Sequence, residues 1–444
     1  MATPARKRDV MGLGLAALTR LAGSKALERA GLRTPVQNLL NAATRNGFRA
    51  AGAASRTFTS ARRLGKPARP AQADEKDLFD VTPTEEQQMI VETVSEFAAE
   101  QLRPAAAEAD AKLTPPDGLL TRAAELGVTL IGIPEELGGA GTERSTVTAA
   151  LVAEALAHGD LGLALAILAP SAVSTALVLW GDAQQQADYL SAFVGENVPA
   201  AALALQEPKP LFDPFKPATQ ARRTPTGYQL DGLKSLVPRA EQAELFVVSA
   251  SLEGSADPRP ALFLIESSTS GLTVKTEPAM GLRSAATGKL LLDKVSLPAG
   301  ALLGAASPEV FTEVVRLSRL GWAALACGTG KAVLDYVVPY VNDRKAFGEP
   351  ISHRQAVAFS VADIAIELEG MRLVMLRAAA RAEQGKPYAR EVALARKLAT
   401  DKGMRIGSAG VQLLGGHGFT KEHPVERWYR DLRAIGVLEG IVLL

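Results

Sequence analysis

The sequence predicts an α+β fold in which helices and strands are segregated: helices over 78–196, strands over 197–306, helices again over 307–444. Three observations predict it. Apolar residues recur at helical spacing up to about 195, and again over 309–342, 354–384 and 388–412. Between these stretches the texture changes to short apolar or alternating runs punctuated by Gly, Pro and Asp, as strands require. No strand-like run interrupts the helical stretches, so the elements form separate layers rather than alternating βαβ units. The 444 residues, 47% hydrophobic and 22% charged, are ample for such a core.

The chain opens with a segment of different character. Residues 1–70 carry 14 Lys and Arg against Asp9 and Glu28, which leaves a net charge of about −11 on the rest. "MGLGLAALTRLAG" and "PVQNLLNAATRNGFRAAG" have partly amphipathic helical spacing. Three readings compete for residues 1–77: an organelle transit peptide, a basic arm (1–72) lying on an anionic membrane, and a solvated tail. The arm reading places the protein in the cytoplasm at a membrane surface, and the transit-peptide reading in the mitochondrial matrix. No aromatic platform accompanies the basic residues, which argues against nucleic acid as a partner. No apolar run reaches the length needed to span a bilayer.

"GKPARPAQADEKD" at 65–77 is a linker. "VTPTEEQQMIVETVSEFAAEQL" then opens a helix, with Thr82 as cap, Pro83 at the first helical position and Glu85 completing a capping box. The strand candidates follow as "PAAALAL", "YQLDGLKSLV", "LFVVSA", "ALFLIE" and "KLLLDKVSLP". The last helical stretch ends in "IGVLEGIVLL", an oily run with one carboxylate, Glu439. A carboxylate held away from water disfavours its charge, so its pKa rises and it can serve as a general base near neutral pH.

A single cysteine, Cys327, excludes a disulfide framework and a cysteine-built zinc site, and four histidines leave little for a metal cluster. No GxGxxG follows a strand and there is no GxxxxGK[ST], so neither a Rossmann nor a P-loop nucleotide site is supported. Two stretches suit phosphate contact. "DRKAFGEPISHRQA" (343–356) offers Arg344 and Lys345 beside a glycine turn. "QLLGGHGF" (412–419) follows a helix, and its glycines let backbone N–H groups approach an anion. Alone, the first is equally well a solvated connection and the second a helix cap.

Together and in this order, "DRKAFGEPISHRQA", "QLLGGHGF", "HPVERWYRD" and the lone glutamate of "LEG" resemble the C-terminal pattern of the acyl-CoA dehydrogenase family. "ELGVTLIGIPEELGGAG" resembles its N-terminal helical domain, and "MGLRSAATGKLLLDKVSLPAGALLG" its β domain. The resemblance covers about residues 80–444. It implies an N-terminal helical domain, a central β-barrel-like domain and a C-terminal four-helix bundle. It also implies FAD as cofactor, an acyl-CoA substrate, an electron-transfer flavoprotein as acceptor and a homodimer or homotetramer. Glu439 takes the position of the family's catalytic base, whose own N–H helps to polarise the thioester carbonyl. Arg344 and Phe347 match a contact to the FAD of a neighbouring subunit, and Gln355 matches a glutamine of the same site. Gln412, Gly415 and Gly416 match the loop at the adenylate end, and Glu207 and Pro208 a flavin-contacting segment.

The sequence also departs from the family. The segment "QEPKPLFDP" at 206–214 lacks the glycines and serine of its counterpart. "GLKSLVP" at 232–238 has Leu236 for the flavin-packing tryptophan and Pro238, which offers no N–H, for a threonine. These losses set up a competing reading: a catalytically degenerate binding or scaffold subunit of the same fold, with weak flavin binding or none.

Overall fold

The computed structural model describes residues 82–139, 144–195, 197–253 and 259–444. The readings made for residues 1–77, membrane contact included, lie outside the described residues.

The first described helix, α1 (Glu85–Phe97), begins later than the sequence reading placed it. Thr84, not Thr82, is the N-cap; its side chain accepts from the Gln87 N–H, and the Gln87 side chain accepts from the Thr84 N–H. Two overlapping capping frames exist here, Thr82–Glu85 and Thr84–Gln87. The second wins because Gln87 also donates to Thr148 Oγ1 at 3.2 Å, tying the cap to a packed helix. There follow α2 (Arg103–Lys112), α3 (Leu119–Glu125), α4 (Thr146–Gly159) and α5 (Leu161–Trp180). Helix α5 corrects the expectation about apolar runs. It has 20 residues and is long and apolar enough to cross a membrane, yet 89% of its most apolar window is buried inside the fold. A helix apolar on every face is also what a core helix looks like, and that is its place here.

The strands are β1 (Ala201–Ala204), β2 (Gln220–Thr224), β3 (Gly227–Val237), β4 (Leu245–Leu252), β5 (Arg259–Glu266), β6 (Leu272–Thr276), β7 (Gly288–Pro298) and β8 (Leu302–Leu303). They form one mixed sheet in the order β6-β7-β3-β2-β4-β5-β8, with β1 parallel to β4. Alternation along the strands divides their side chains between two cores. Phe246, Val248, Phe263 and Ile265 join Tyr228, Leu290 and Val295 in a core of the sheet's own. Leu245, Val247, Leu262 and Leu264 face the helices and merge with the main core.

Helix α6 (Pro308–Asp343) is followed by a two-stranded ribbon, β9 (Lys345–Ala346) and β10 (Glu349–Pro350). Then come α7 (Gln355–Glu383), α8 (Ala389–Leu414) and α9 (Val425–Ala434). Helices, sheet and helices thus follow in the order the sequence predicts. The main core draws on the helices before and after the sheet together, Leu156 and Leu165 sharing it with Trp322 and Trp428, so the described residues form one compact unit.

Candidate active site

The oily tail after α9 is held by its backbone. The Leu438 carbonyl accepts from Arg396 Nη2, and the Glu439 N–H donates to Gln206 Oε1 at 2.9 Å. The Gly440 carbonyl accepts from Ser318 Oγ and from Trp322 Nε1, each at 2.9 Å. Gly440 has φ 77°, and a Cβ there would stand 2.6 Å from Leu205 Cβ. Glycine is needed on both counts, so the residue after Glu439 is fixed by close approach to β1's continuation.

The Glu439 side chain is only 13% exposed, but its surroundings are not the apolar ones the sequence suggests. Arg319 on α6 donates from Nε to Oε1 at 3.1 Å and Oε2 at 3.0 Å, and from Nη2 to Oε1 at 2.9 Å. Arg396 Nη2 lies a further 3.7 Å from Oε1. Burial pushes the Arg396 guanidinium down to about 10, opposed by Glu439. The carboxylate is therefore an ion-paired group between two arginines, not an isolated one.

Across from the tail stands the segment 205–208. Lys234 Nζ, fully buried, donates to Glu207 Oε1 at 2.8 Å, Ser249 Oγ at 3.0 Å and the Leu205 carbonyl at 3.3 Å. Glu207 also accepts from the Thr219 N–H, the Thr219 hydroxyl and the Ala218 N–H. Burial pushes its carboxyl up, but Lys234 and these donors outweigh that and hold it below the usual value. The carboxylate of Glu207, matched above to a flavin-contacting segment, thus bonds within the protein and fixes the backbone beside it. Pro208 is exposed.

Strand β3 carries a bulge between Lys234 and Val237 against β7. Leu236 takes φ 54°, and its N–H and the Ser235 hydroxyl both donate to the Glu277 carboxylate, at 2.7 and 2.9 Å. Such bulges re-aim side chains at sites. This one turns Leu236 into an apolar cleft of about 130 Å³ shared with Met280, Leu282, Arg430, Val437 and Leu438, the last of these the residue before Glu439.

The far wall of the cleft is bonded to α9. Arg430 pairs with both oxygens of Asp110 at 2.8 and 3.0 Å and donates to the Met280 carbonyl at 2.9 Å. Asp431 accepts from the Leu282 N–H at 2.6 Å. Burial, then the nearby Asp160 charge, pushes the Asp431 carboxyl up to about 7. A carboxyl raised in the fold binds its proton over a range where the unfolded chain has released it. Its cost is absent near pH 4, grows as pH rises towards 7 and is complete above that. Asp431→Asn keeps an acceptor for Leu282 and removes the charge. It is expected to stabilise the protein by about 2–4 kcal/mol at pH 8 and by almost nothing at pH 4; thermal melts at the two pH values check it, and an equal gain at both would refute it.

The residues matched to a phosphate end lie elsewhere on the surface. Arg344, Phe347, Gln355, Gln412, Gly415 and Gly416 are all exposed, and Arg344 makes no ion pair among the described residues. Tyr340 brings their two segments together. Its carbonyl accepts from the Arg344 N–H, and its hydroxyl reaches His417 Nδ1 at 2.9 Å. Gly415 has φ 58° and ψ −131°, a conformation that favours glycine, and a Cβ on either glycine would meet no atom within 4 Å. The loop thus presents bare backbone to its surroundings, as an anion cradle requires.

Two residues escaped sequence reasoning. Arg319 had a faint signal, since Phe311, Val315 and Arg319 recur at four-residue spacing and set a charge on a buried stripe. Gln206 had none.

The comparisons with known proteins agree with this architecture. Family models described as the N-terminal, middle and C-terminal domains of acyl-CoA dehydrogenase match residues 84–196, 202–295 and 309–441. The mouse (Mus musculus) mitochondrial short-chain specific acyl-CoA dehydrogenase is 32% identical, covering 80% of this chain and 87% of its own length. The butyryl-CoA dehydrogenase structure from Megasphaera elsdenii superposes with a TM-score of 0.75 at 29% identity, covering 82% of this chain and 96% of its own. A glutaryl-coenzyme A dehydrogenase in complex with glutaryl-CoA gives a TM-score of 0.76 at 26% identity, covering 81% and 93%.

Proposed function

The chain belongs to the acyl-CoA dehydrogenase family of oxidoreductases, and on that premise we propose that Glu439 removes the α-proton of an acyl-CoA thioester on the way to the trans-2-enoyl-CoA. The observation that carries this reading is the state of its carboxylate. Oε1 takes two hydrogen bonds from Arg319 and faces Arg396, whereas Oε2 takes one. A carboxylate oxygen has two lone pairs, so Oε2 keeps one for a substrate proton. The Leu438 and Gly440 carbonyls, bonded to Arg396, Ser318 and Trp322, hold the tail on either side of Glu439, which is what a positioned base requires.

The protein's residues suit FAD at both ends. The cleft at Leu236 is apolar and lies within a few residues of the base, and the 412–416 loop offers exposed backbone. Bound there, FAD supplies the acceptor for the β-hydride. Arg344, Phe347, Gln355, Gln412, Gly415 and Gly416 would hold its phosphate end, and the backbone at Pro208 would border the ring. Exposure of the first group on this chain supports a second subunit contributing to each site, hence a homodimer or homotetramer. An electron-transfer flavoprotein takes the electrons onward in this reading. Residues 1–72 contact an anionic membrane surface from the cytoplasm; a cleaved targeting segment would instead place the protein in mitochondria, the compartment named for the mouse relative.

An anaerobic absorption spectrum of the full-length protein, recorded with a panel of acyl-CoAs, tests the proposal. A flavin band that bleaches with one of them is expected. A colourless protein that takes up no added FAD would favour the scaffold reading, in which Pro238 and the altered 206–214 loop have removed the ring contacts.

A further inference from the structure

We propose that Gln206 is a positioning residue that acts as a latch: its amide oxygen occupies the Glu439 N–H until a substrate carbonyl displaces it. This rests on the acyl-CoA dehydrogenase reading above. The α-proton is acidic only while a donor polarises the thioester carbonyl, and a carboxylate that reaches the α-carbon places that carbonyl within a few ångströms of itself. The backbone donor on the same residue is the Glu439 N–H. In the structure it is already satisfied, by an sp² carbonyl oxygen 2.9 Å away.

The latch is built from both sides of the site. The Gln206 backbone is pinned to the sheet, its carbonyl accepting from the Ser235 N–H at 3.0 Å. Its side chain crosses to the tail after α9, and its Nε2 makes one 3.2 Å bond to the Glu207 carbonyl. Gln206 is 6% exposed, so water does not readily replace it on the donor. The thioester therefore competes with an internal ligand, and its apparent affinity is reduced by the fraction of time the N–H is open. A ligand without a carbonyl does not compete and feels no such reduction.

The test compares two ligands on the flavin-loaded enzyme by titration calorimetry. Trans-2-butenoyl-CoA carries the thioester carbonyl and cannot be oxidised further. S-butyl-CoA is a thioether of the same length with no carbonyl. Gln206→Ala is expected to bind the thioester about three- to tenfold more tightly, the range of one net hydrogen bond, and the thioether unchanged. Gln206→Asn, one methylene too short to reach, is expected to behave like Ala. An equal change for both ligands, no change, or weaker thioester binding in both variants overturns the latch. A wild-type protein that binds neither ligand and holds no flavin overturns the acyl-CoA reading with it. Wild-type binding of both, with their ratio unaltered in the variants, sinks the latch alone.

Discussion

Glu439→Gln is expected to lower kcat by about 10²- to 10⁴-fold, the contribution of a positioned general base. Glutamine keeps the shape of the side chain and a carbonyl oxygen for the Arg319 Nη2 donor, so the tail should stay in place. What disappears is the basic lone pair on Oε2. Thioester recognition through the Glu439 N–H belongs to the backbone and is untouched by the change. The loss should fall on kcat, with KM within a few-fold of wild type, as for an interaction made only in the transition state. The flavin spectrum should persist, because the Leu236 cleft and the 412–416 loop do not depend on that oxygen. Steady-state assays with a dye acceptor, and the rate of flavin bleaching under anaerobic conditions, read this out. Wild-type turnover in the variant would mean that the proton leaves through another group.

Much of the architecture is legible in the sequence because it depends on local period. The change from helical spacing to alternation near residue 197 and back near 308 follows from which faces are buried, and the strands and helices begin and end close to those points. Glu439 is legible because one carboxylate in an oily run is conspicuous. Its environment is not, because the partners that decide it come from far along the chain. Arg319 lies 120 residues away and Gln206 lies 233 away. The bonding of the Glu207 carboxylate is hidden in the same way, because its partner Lys234 lies on β3 with its ammonium fully buried. The start of α1 failed for a different reason. Two capping frames overlap there, and a tertiary contact from Gln87 to Thr148 decides between them. Helix α5 failed because length and hydropathy alone do not distinguish a membrane span from a core helix. The rest of the fold makes that distinction.

Removal of the Glu207 carboxylate is expected to cost about 3–5 kcal/mol of stability, as for other buried ion pairs broken on one side. The size follows from what is left behind. Lys234 has no exposed side-chain surface. Its ammonium would keep only Ser249 Oγ and the Leu205 carbonyl as acceptors. Thr219 and Ala218 would also lose the oxygens their N–H groups donate to. In the intact protein, burial pushes Lys234 down to about 8, with Glu207 opposing the fall. A lysine depressed in the fold binds fewer protons than the unfolded chain between that value and its ordinary one near 10.5, so its burial penalty is full below pH 8 and shrinks as pH rises above it. Without Glu207 the depression deepens. The destabilisation of Glu207→Ala should therefore be largest near pH 7 and smaller at pH 9.5, as measured by urea unfolding at both. Replacing the two residues together with apolar ones, Glu207→Leu with Lys234→Met, should recover much of the loss, because no charge is then left buried. If the single variant costs no more than about 1 kcal/mol, the pair behaves like an exposed one and Lys234 is better solvated than its position implies. Activity should fall with the single substitution as well. The pair anchors the backbone from Leu205 to Pro208, and Leu205 packs on Gly440, the residue after the base, so loosening that anchor moves the base itself.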